Sequence, residues 1–449
     1  MLDINTRRKI YPLFFIFFIV LGGFLILRIR GLVIDWEHLD VVRTGGVYLE
    51  IVPKDAQIFM NGELIEETPG LISKGIFIND IIPGDYEVNV KKNGFSEWKR
   101  TLTVEPGIVS SASFIRLWEI NPETITIATS SISDFYAVRN GVITKNESDV
   151  FIYNGAEIRG SEILLAEKSS DYIVTKDKKG SLFLTELEKP EGALNINEVF
   201  QSLLTQDFYP NGKKAVIQSV FHHSFNEGKI FILAGNELFL FDSKKITMEK
   251  VFTTSSTLHI AQKGNIIATV GRNGEGLVYD SFFKKTSPVT LFSSSTPKDI
   301  LRIEPGERRN FIILLEKEGL LFDFNISAST STLISENISD FILSPDEEKI
   351  AVVFNDARAG IFYLNDVVND THIPYGTFIS LPEKVKPFWV KGIEGYVFFE
   401  KNSEIYAVET DPRTPQNTAL ITNGVKKIIP IEEYAYALFE DGKLDILKF

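Results

Sequence analysis

Histidine is the side chain best suited to exchange protons near neutrality or to hold a metal ion. This chain has five: His38, His222, His223, His259 and His372. The pair His222-His223 invites a metal reading, but adjacent residues on a strand point to opposite faces, so one ion cannot easily take both there; a loop would relax this. Asn365-Asp366-Val367-Val368-Asn369-Asp370 sets two carboxylates four residues apart among two amides. Calcium asks for several oxygen ligands, yet the run lacks the glycine and distal glutamate of a helix–loop–helix calcium motif and reads as a solvated loop. Gly271-Arg272-Asn273-Gly274-Glu275-Gly276 links two strand-like runs and opens no helix, so it offers phosphate no helix N-terminus. A serine nucleophile needs a positioned base, and no Gly-x-Ser-x-Gly elbow occurs. The acid pairs Glu347-Glu348 and Glu432-Glu433 read as exposed. The expectation is a non-enzyme, with no catalytic, cofactor-binding or metal residues and no cofactor.

These residues sit in a repeating array. From about residue 119 an apolar strand meets a short turn and then a strand rich in aromatics. The second members include Val150-Phe151-Ile152-Tyr153, Leu182-Phe183-Leu184, Leu238-Phe239-Leu240-Phe241, Leu277-Val278-Tyr279, Leu320-Leu321-Phe322, Ile361-Phe362-Tyr363, Ile405-Tyr406-Ala407 and Leu444-Asp445-Ile446. Reference positions 151, 183, 239, 278, 321, 362, 406 and 445 differ by 32, 56, 39, 43, 41, 44 and 39. A period near 40 is that of a four-stranded propeller blade, so residues 119–449 are expected to form a β-propeller of seven or eight blades, the 32 and 56 spacings leaving the count open. Ring closure calls for Thr124–Thr129 to join the last blade. Phe341-Ile342-Leu343-Ser344-Pro345-Asp346 resembles the start of a WD-like blade, and Asp207–Val216 is a poorer copy. The Trp-Asp dipeptide that names those repeats is absent.

Residues 45–117 alternate over many short runs broken by Asn61-Gly62, Pro83-Gly84 and Asn93-Gly94. Asn-Gly favours tight hairpins because both residues tolerate positive φ, and the alternation predicts a small antiparallel β-sandwich. The order of Phe59-Met60-Asn61-Gly62, Thr68-Pro69, Ile82-Pro83-Gly84-Asp85-Tyr86 and Lys92-Asn93-Gly94-Phe95 resembles the PEGA domain, although the namesake tetrapeptide is missing. The resemblance implies structural roles for Asn61, Gly62, Pro69, Pro83, Gly84, Asn93 and Gly94. It also implies a prokaryotic surface or cell-envelope binding or spacer module without catalytic residues.

Ile10–Leu27 carries no charge, and 18 or more apolar residues make a transmembrane candidate. Arg7, Arg8 and Lys9 precede the run; Arg28 and Arg30 follow it without a small-residue cleavage pattern. The reading is a cytoplasmic tail over 1–9 and a transmembrane helix over 10–27. The bulk then lies outside the membrane, with the N-terminus cytoplasmic by the positive-inside rule. The 449 residues have no cysteine and a net charge of −13, which removes disulfide frameworks and thiol chemistry and argues against nucleic acid as a partner. The expected fold class is therefore mainly β: an N-terminal transmembrane helix, a PEGA-like sandwich and a propeller. The expected function is a single-pass, membrane-anchored binding or scaffold protein that recognises a protein, peptide or envelope glycan. The alternative is an extracellular propeller hydrolase acting on envelope polysaccharide or peptide. The oligomeric state is left open.

Overall fold

The computed structural model describes residues 4–35, 40–66, 75–129, 131–204, 216–224, 228–254, 259–271, 274–291, 299–308, 310–368 and 372–449. His38, Pro69, Arg272, Asn273, Asn369, Asp370 and most of the 207–216 run lie outside the described residues. The chain divides into two compact units. One comprises residues 1–121 with 365–377 and 407–421. The other comprises 122–364, 378–406 and 422–449.

The first unit opens with a helix, α1 (Ile4–Ile29). The expected single-pass anchor, and with it the placement of the N-terminus inside and the bulk outside a membrane, is overturned. Among the described residues no helix is long and apolar enough to cross a membrane. Arg7, Arg8 and Lys9 fall inside the helix rather than before it, and Pro12 interrupts its hydrogen-bonding. Arg28, read as membrane-flanking, instead donates to the Asp80 carboxylate at 2.6 Å. Arg30 is exposed.

Beyond α1 two sheets share one core. Ile76–Ile81, Gly45–Val52 and Val109–Arg116 form the first; Glu63–Ile65, Gln57–Met60, Gly84–Lys91 and Trp98–Val104 form the second. Val47, Leu49, Val88, Val90, Leu102 and Ile115 face each other between them. The sandwich is not wholly antiparallel: Val109–Arg116 runs parallel to Gly45–Val52. Parallel partners need a long crossover, and the whole second sheet supplies it. Asn61 and Gly62 have φ of 49° and 85°, the left-handed pair that a two-residue hairpin needs. Gly94 takes φ 81° at the second Asn-Gly, and Gly84 opens the strand Gly84–Lys91.

Strict alternation along Trp98–Val104 puts Trp98, Arg100, Leu102 and Val104 on the buried face. Arg100 is thus a fully buried cation. It donates to Glu409 at 2.8 Å and Asp411 at 2.5 Å, both in the 407–421 segment of the same unit. Trp98 Nε1 and Asn417 Nδ2 also donate to Glu409 Oε2, at 3.1 and 2.9 Å. Burial raises the Glu409 carboxyl above the usual carboxylate range, and Arg100 offsets only part of that. Burial acts the same way on Asp411, but the Arg413 and Arg100 guanidinia outweigh it and hold that carboxyl low.

From Ile132 the chain lays down eight four-stranded sheets in succession. Their inner strands are Ile132–Val138, Glu162–Leu165, Ile217–His222, His259–Lys263, Ile300–Pro305, Ile338–Leu343, Lys386–Phe388 and Val425–Ile431. The outermost strand of the eighth sheet is Thr124–Ala128, which pairs antiparallel with Leu444–Lys448. The strand expected to close the ring does close it, and the blade count is eight. The 56-residue interval arises because a helix, α2 (Ile196–Leu203), and the residues after it lie between blades two and three. The 32-residue interval follows from blade one, whose outer strands Phe151–Tyr153 and Ala156–Ile158 are very short.

Blades pack face to face through apolar clusters, as radial sheets must. Phe135 meets Tyr436, Leu438 and Leu444 between blades eight and one. Ile143 and Phe151 meet Ile173 between one and two. Val174 and Leu184 meet Ile232 and Phe239 between two and three, where Ile196 and Phe200 of α2 also insert. Phe231 and Leu238 reach Ile267 and Tyr279 between three and four, and the series continues through Ile300 and Ile312 to Ile338 and Ile350. Gly276 belongs here rather than to any phosphate loop: a Cβ on it would lie 2.0 Å from the Thr269 carbonyl oxygen.

Candidate functional site

Inner strands of a propeller line its channel, and their ends carry most of this unit's charged contacts. Lys263 of blade four lies 3.4 Å from Glu304 of blade five and 4.0 Å from Glu347 of blade six. Arg302 of blade five pairs with Asp340 of blade six at 2.8 Å and with its own Glu304 at 3.1 Å. Lys427 of blade eight pairs with Asp134 of blade one at 2.6 Å. The pairs Lys263–Glu304, Arg302–Asp340 and Lys427–Asp134 join successive blades.

Glu347 was expected to be exposed, and it is buried. Its φ of 63° turns the carboxylate inward. There it accepts from the backbone N–H groups of Glu307 and Arg308 at 2.5 and 3.1 Å. Uncapped backbone donors at the neighbouring blade's turn are the physical reason: a buried amide left unpaired is costly. Within the WD-like run Ser344 donates to Asp346 at 2.5 Å, and Lys349 pairs with Asp346 at 3.1 Å.

A second lysine, besides Lys263, reaches past a blade. Lys168 lies in the turn after the inner strand of blade two, yet it donates to the carbonyl of Pro430 in blade eight. Blade one lies between them. Glu167, Glu432 and Lys391 make up its electrostatic surroundings, and Lys391 pairs with Glu432 at 3.0 Å. Glu167 and Lys168 are exposed, and the neighbouring protein still removes part of their solvation. Those surroundings lower the Lys168 ammonium, partly opposed by Glu167 and Glu432. They raise the Glu167 carboxyl, partly opposed by Lys168. Opposed shifts of adjacent groups mark a functional-site candidate. The mouth can take a ligand carboxylate on Lys168 and Lys391 and a ligand N–H or O–H on Glu167 and Glu432.

Of these residues the sequence reading named Ser344, Asp346, Glu347, Lys349 and Glu432, and gave none of them a functional role. Inner strands are short and mixed in polarity, so they show no clear period. A charge at the end of the strand preceding each aromatic pair, as in Lys263 and Glu304, is the signal that was there to find.

His222 ends an inner strand and His223 follows it; both are buried. His223 stacks on Phe231 with ring centroids 5.2 Å apart. Among the described residues no group of three or more His, Cys, Asp or Glu side chains is placed to hold a metal ion. Burial depresses His222, His223 and His259 below their ordinary value of 6.5. The unfolded chain therefore binds protons that the folded chain refuses. The stability from keeping these rings neutral is present above pH 6.5 and falls as pH drops through that value. Thermal melts should show Tm falling between pH 7.5 and 5.5. His223→Phe, which keeps the stack on Phe231, should flatten that fall; an unchanged slope would remove His223 from the account.

No family model matches the chain, and no curated protein matches it. Among solved structures it is similar to BamB from Moraxella catarrhalis, at 13% identity and a TM-score of 0.43 over 73% of this chain and 100% of that one. It is similar to Hsv2 from Kluyveromyces lactis, at 14% identity and 0.41 over 65% of this chain and 99% of that one. PorZ, a surface component of the type IX secretion system of Porphyromonas gingivalis, is matched at 14% identity and 0.37 over 65% of this chain and 37% of its own. The propeller assignment stands on strand order, closure and blade packing.

Proposed function

We propose that this chain is a non-catalytic recognition protein whose propeller holds a peptide segment of a protein partner at the channel mouth. The observation that carries the reading is Lys168, fixed across the mouth between blades that are not neighbours. The ion pairs among blades four, five and six and between blades eight and one hold mixed charges at set positions, which reduces the ordering cost of binding. The sandwich serves as a spacer or second binding module of the PEGA type, a reading supported by the turns at Asn61-Gly62, Pro83-Gly84 and Asn93-Gly94.

The opposed shifts of Glu167 and Lys168 favour a second reading, a hydrolase that uses Glu167 as its acid. Both are tested together by titrating the full chain against peptide and polysaccharide panels while monitoring product. Saturable peptide binding without turnover, weakened at least tenfold by Lys168→Ala at unchanged Tm, is the expected result. Turnover abolished by Glu167→Gln would replace recognition with hydrolysis.

A further inference from the structure

Asp445 follows Leu444 in the third strand of blade eight, where Phe183 follows Leu182 in blade two and Phe322 follows Leu321 in blade five. A carboxylate thus occupies a position that its sister blades give to an aromatic ring. Its side chain is 2% exposed. Oδ2 accepts from Lys443 Nζ at 2.6 Å, while Oδ1 is buried with no hydrogen-bond partner. An acid with half its acceptors unmet in a packed position is costly, and such an exception calls for an explanation.

The explanation lies beside it. A cleft of about 480 Å³ opens at the closing seam, lined by Thr124, Thr422, Glu440, Asp441, Lys443 and Asp445 among others. Three carboxylates face one ammonium there. Glu440 accepts from Ser403 Oγ at 2.6 Å, and Asp441 Oδ1 caps the backbone N–H of Lys443 at 3.0 Å. Each of those bonds engages one oxygen and leaves the net negative charge of the cleft in place. Lys443, 36% exposed, is the group paired with Asp445 and the one able to swing away.

We propose that this cleft binds a guanidinium group. A guanidinium presents five donors in a planar fork that matches a carboxylate two-to-two and is weakly hydrated, so it enters a partly buried acid site more readily than an ammonium. In place of the Lys443 ammonium it reaches both oxygens of Asp445, with Glu440 as its outer counter-charge and the Thr124 and Thr422 hydroxyls at the rim. A divalent metal fits less well, because no metal-holding group of acids occurs among the described residues. The guanidinium belongs either to a small free molecule or to an arginine side chain of another protein.

The test is calorimetric titration of the full chain with agmatine, with the peptide acetyl-Gly-Arg-Gly-amide, and with its citrulline counterpart, which has the same shape without the charge. Agmatine and the arginine peptide are expected to saturate the site and the citrulline peptide to give no saturable heat. Tighter binding of the peptide assigns the group to an arginine side chain, and tighter agmatine binding to a free molecule; both support the site. Asp445→Asn is expected to abolish binding. Should that variant fail to fold, the exposed Glu440→Gln is expected to weaken binding at least fivefold at unchanged Tm. Citrulline binding equal to arginine, no saturation by either cation, or full affinity in a folded Glu440→Gln protein would overturn the proposal. Lys168→Ala, in blade two and absent from the lining of this cleft, should leave this binding intact, so failure here is separable from failure at the channel mouth.

Discussion

Deleting Asp441–Phe449 is expected to unfold the ring rather than shorten it. The strand Leu444–Lys448 is hydrogen-bonded on both sides, to Tyr434–Phe439 and to Thr124–Ala128. Its loss removes Leu444 and Leu447, both fully buried, at about 2–5 kcal/mol each. It also leaves two strand edges unpaired and uncovers the cluster where Phe135 meets Tyr436 and Leu438. Against a total stability of roughly 5–15 kcal/mol for a folded domain, that loss is decisive. Calorimetry should find the main cooperative transition missing from the truncated chain. A transition of unchanged midpoint and enthalpy would show that the blades stand independently and that the seam is dispensable.

Arg100→Met is expected to destabilise the first unit by about 3–5 kcal/mol, the cost of leaving a buried carboxylate without its partner. Met keeps the unbranched apolar stem, so the packing of that stem is retained and only the guanidinium is lost. Glu409 loses its counter-charge, while Asp411 retains Arg413 at 2.5 Å. The destabilisation carries a pH signature. Glu409 is raised in the fold by burial, and without Arg100 it rises further, so the folded form holds a proton that the unfolded form has lost. The defect therefore grows as pH rises from the ordinary carboxylate value through the raised one, and it shrinks in acid. Denaturant melts at pH 5 and pH 8 should show the larger loss at pH 8. Adding Glu409→Gln should restore most of the stability, since an amide needs no counter-ion. A double variant no better than Arg100→Met would assign the loss to packing against Trp98 instead.

Much of the propeller was legible because its middle strands are buried on both faces. Phe311–Glu316 and Tyr396–Lys401 have neighbouring blades above and below, so they must be apolar throughout, and the run before each aromatic strand marks a blade. Thr124–Ala128 could be placed by counting, since the last unit lacked a fourth strand. The sandwich showed through its alternation and its Asn-Gly turns. The first and last strands of that sandwich pair in parallel, which alternation alone does not distinguish from antiparallel pairing. The N-terminal run was over-read, because the apolar composition of a segment does not show that Arg7, Arg8, Lys9 and Pro12 share its helix or which partner Arg28 takes.

Local periodicity by itself determined the element types, a blade repeat of seven or eight units and the need for a closing strand, because burial on one or both faces leaves its mark within a few residues. Only the tertiary structure decided which charges meet. Lys168 and Pro430 are separated by 262 residues and Arg100 and Glu409 by 309. The burial of Glu347 and of Asp445 also depends on what the adjoining blade or strand places over them. A carboxylate in a sequence carries no sign of its neighbours. Its solvation, its pKa and its availability to a ligand are properties of the surfaces that folding brings around it.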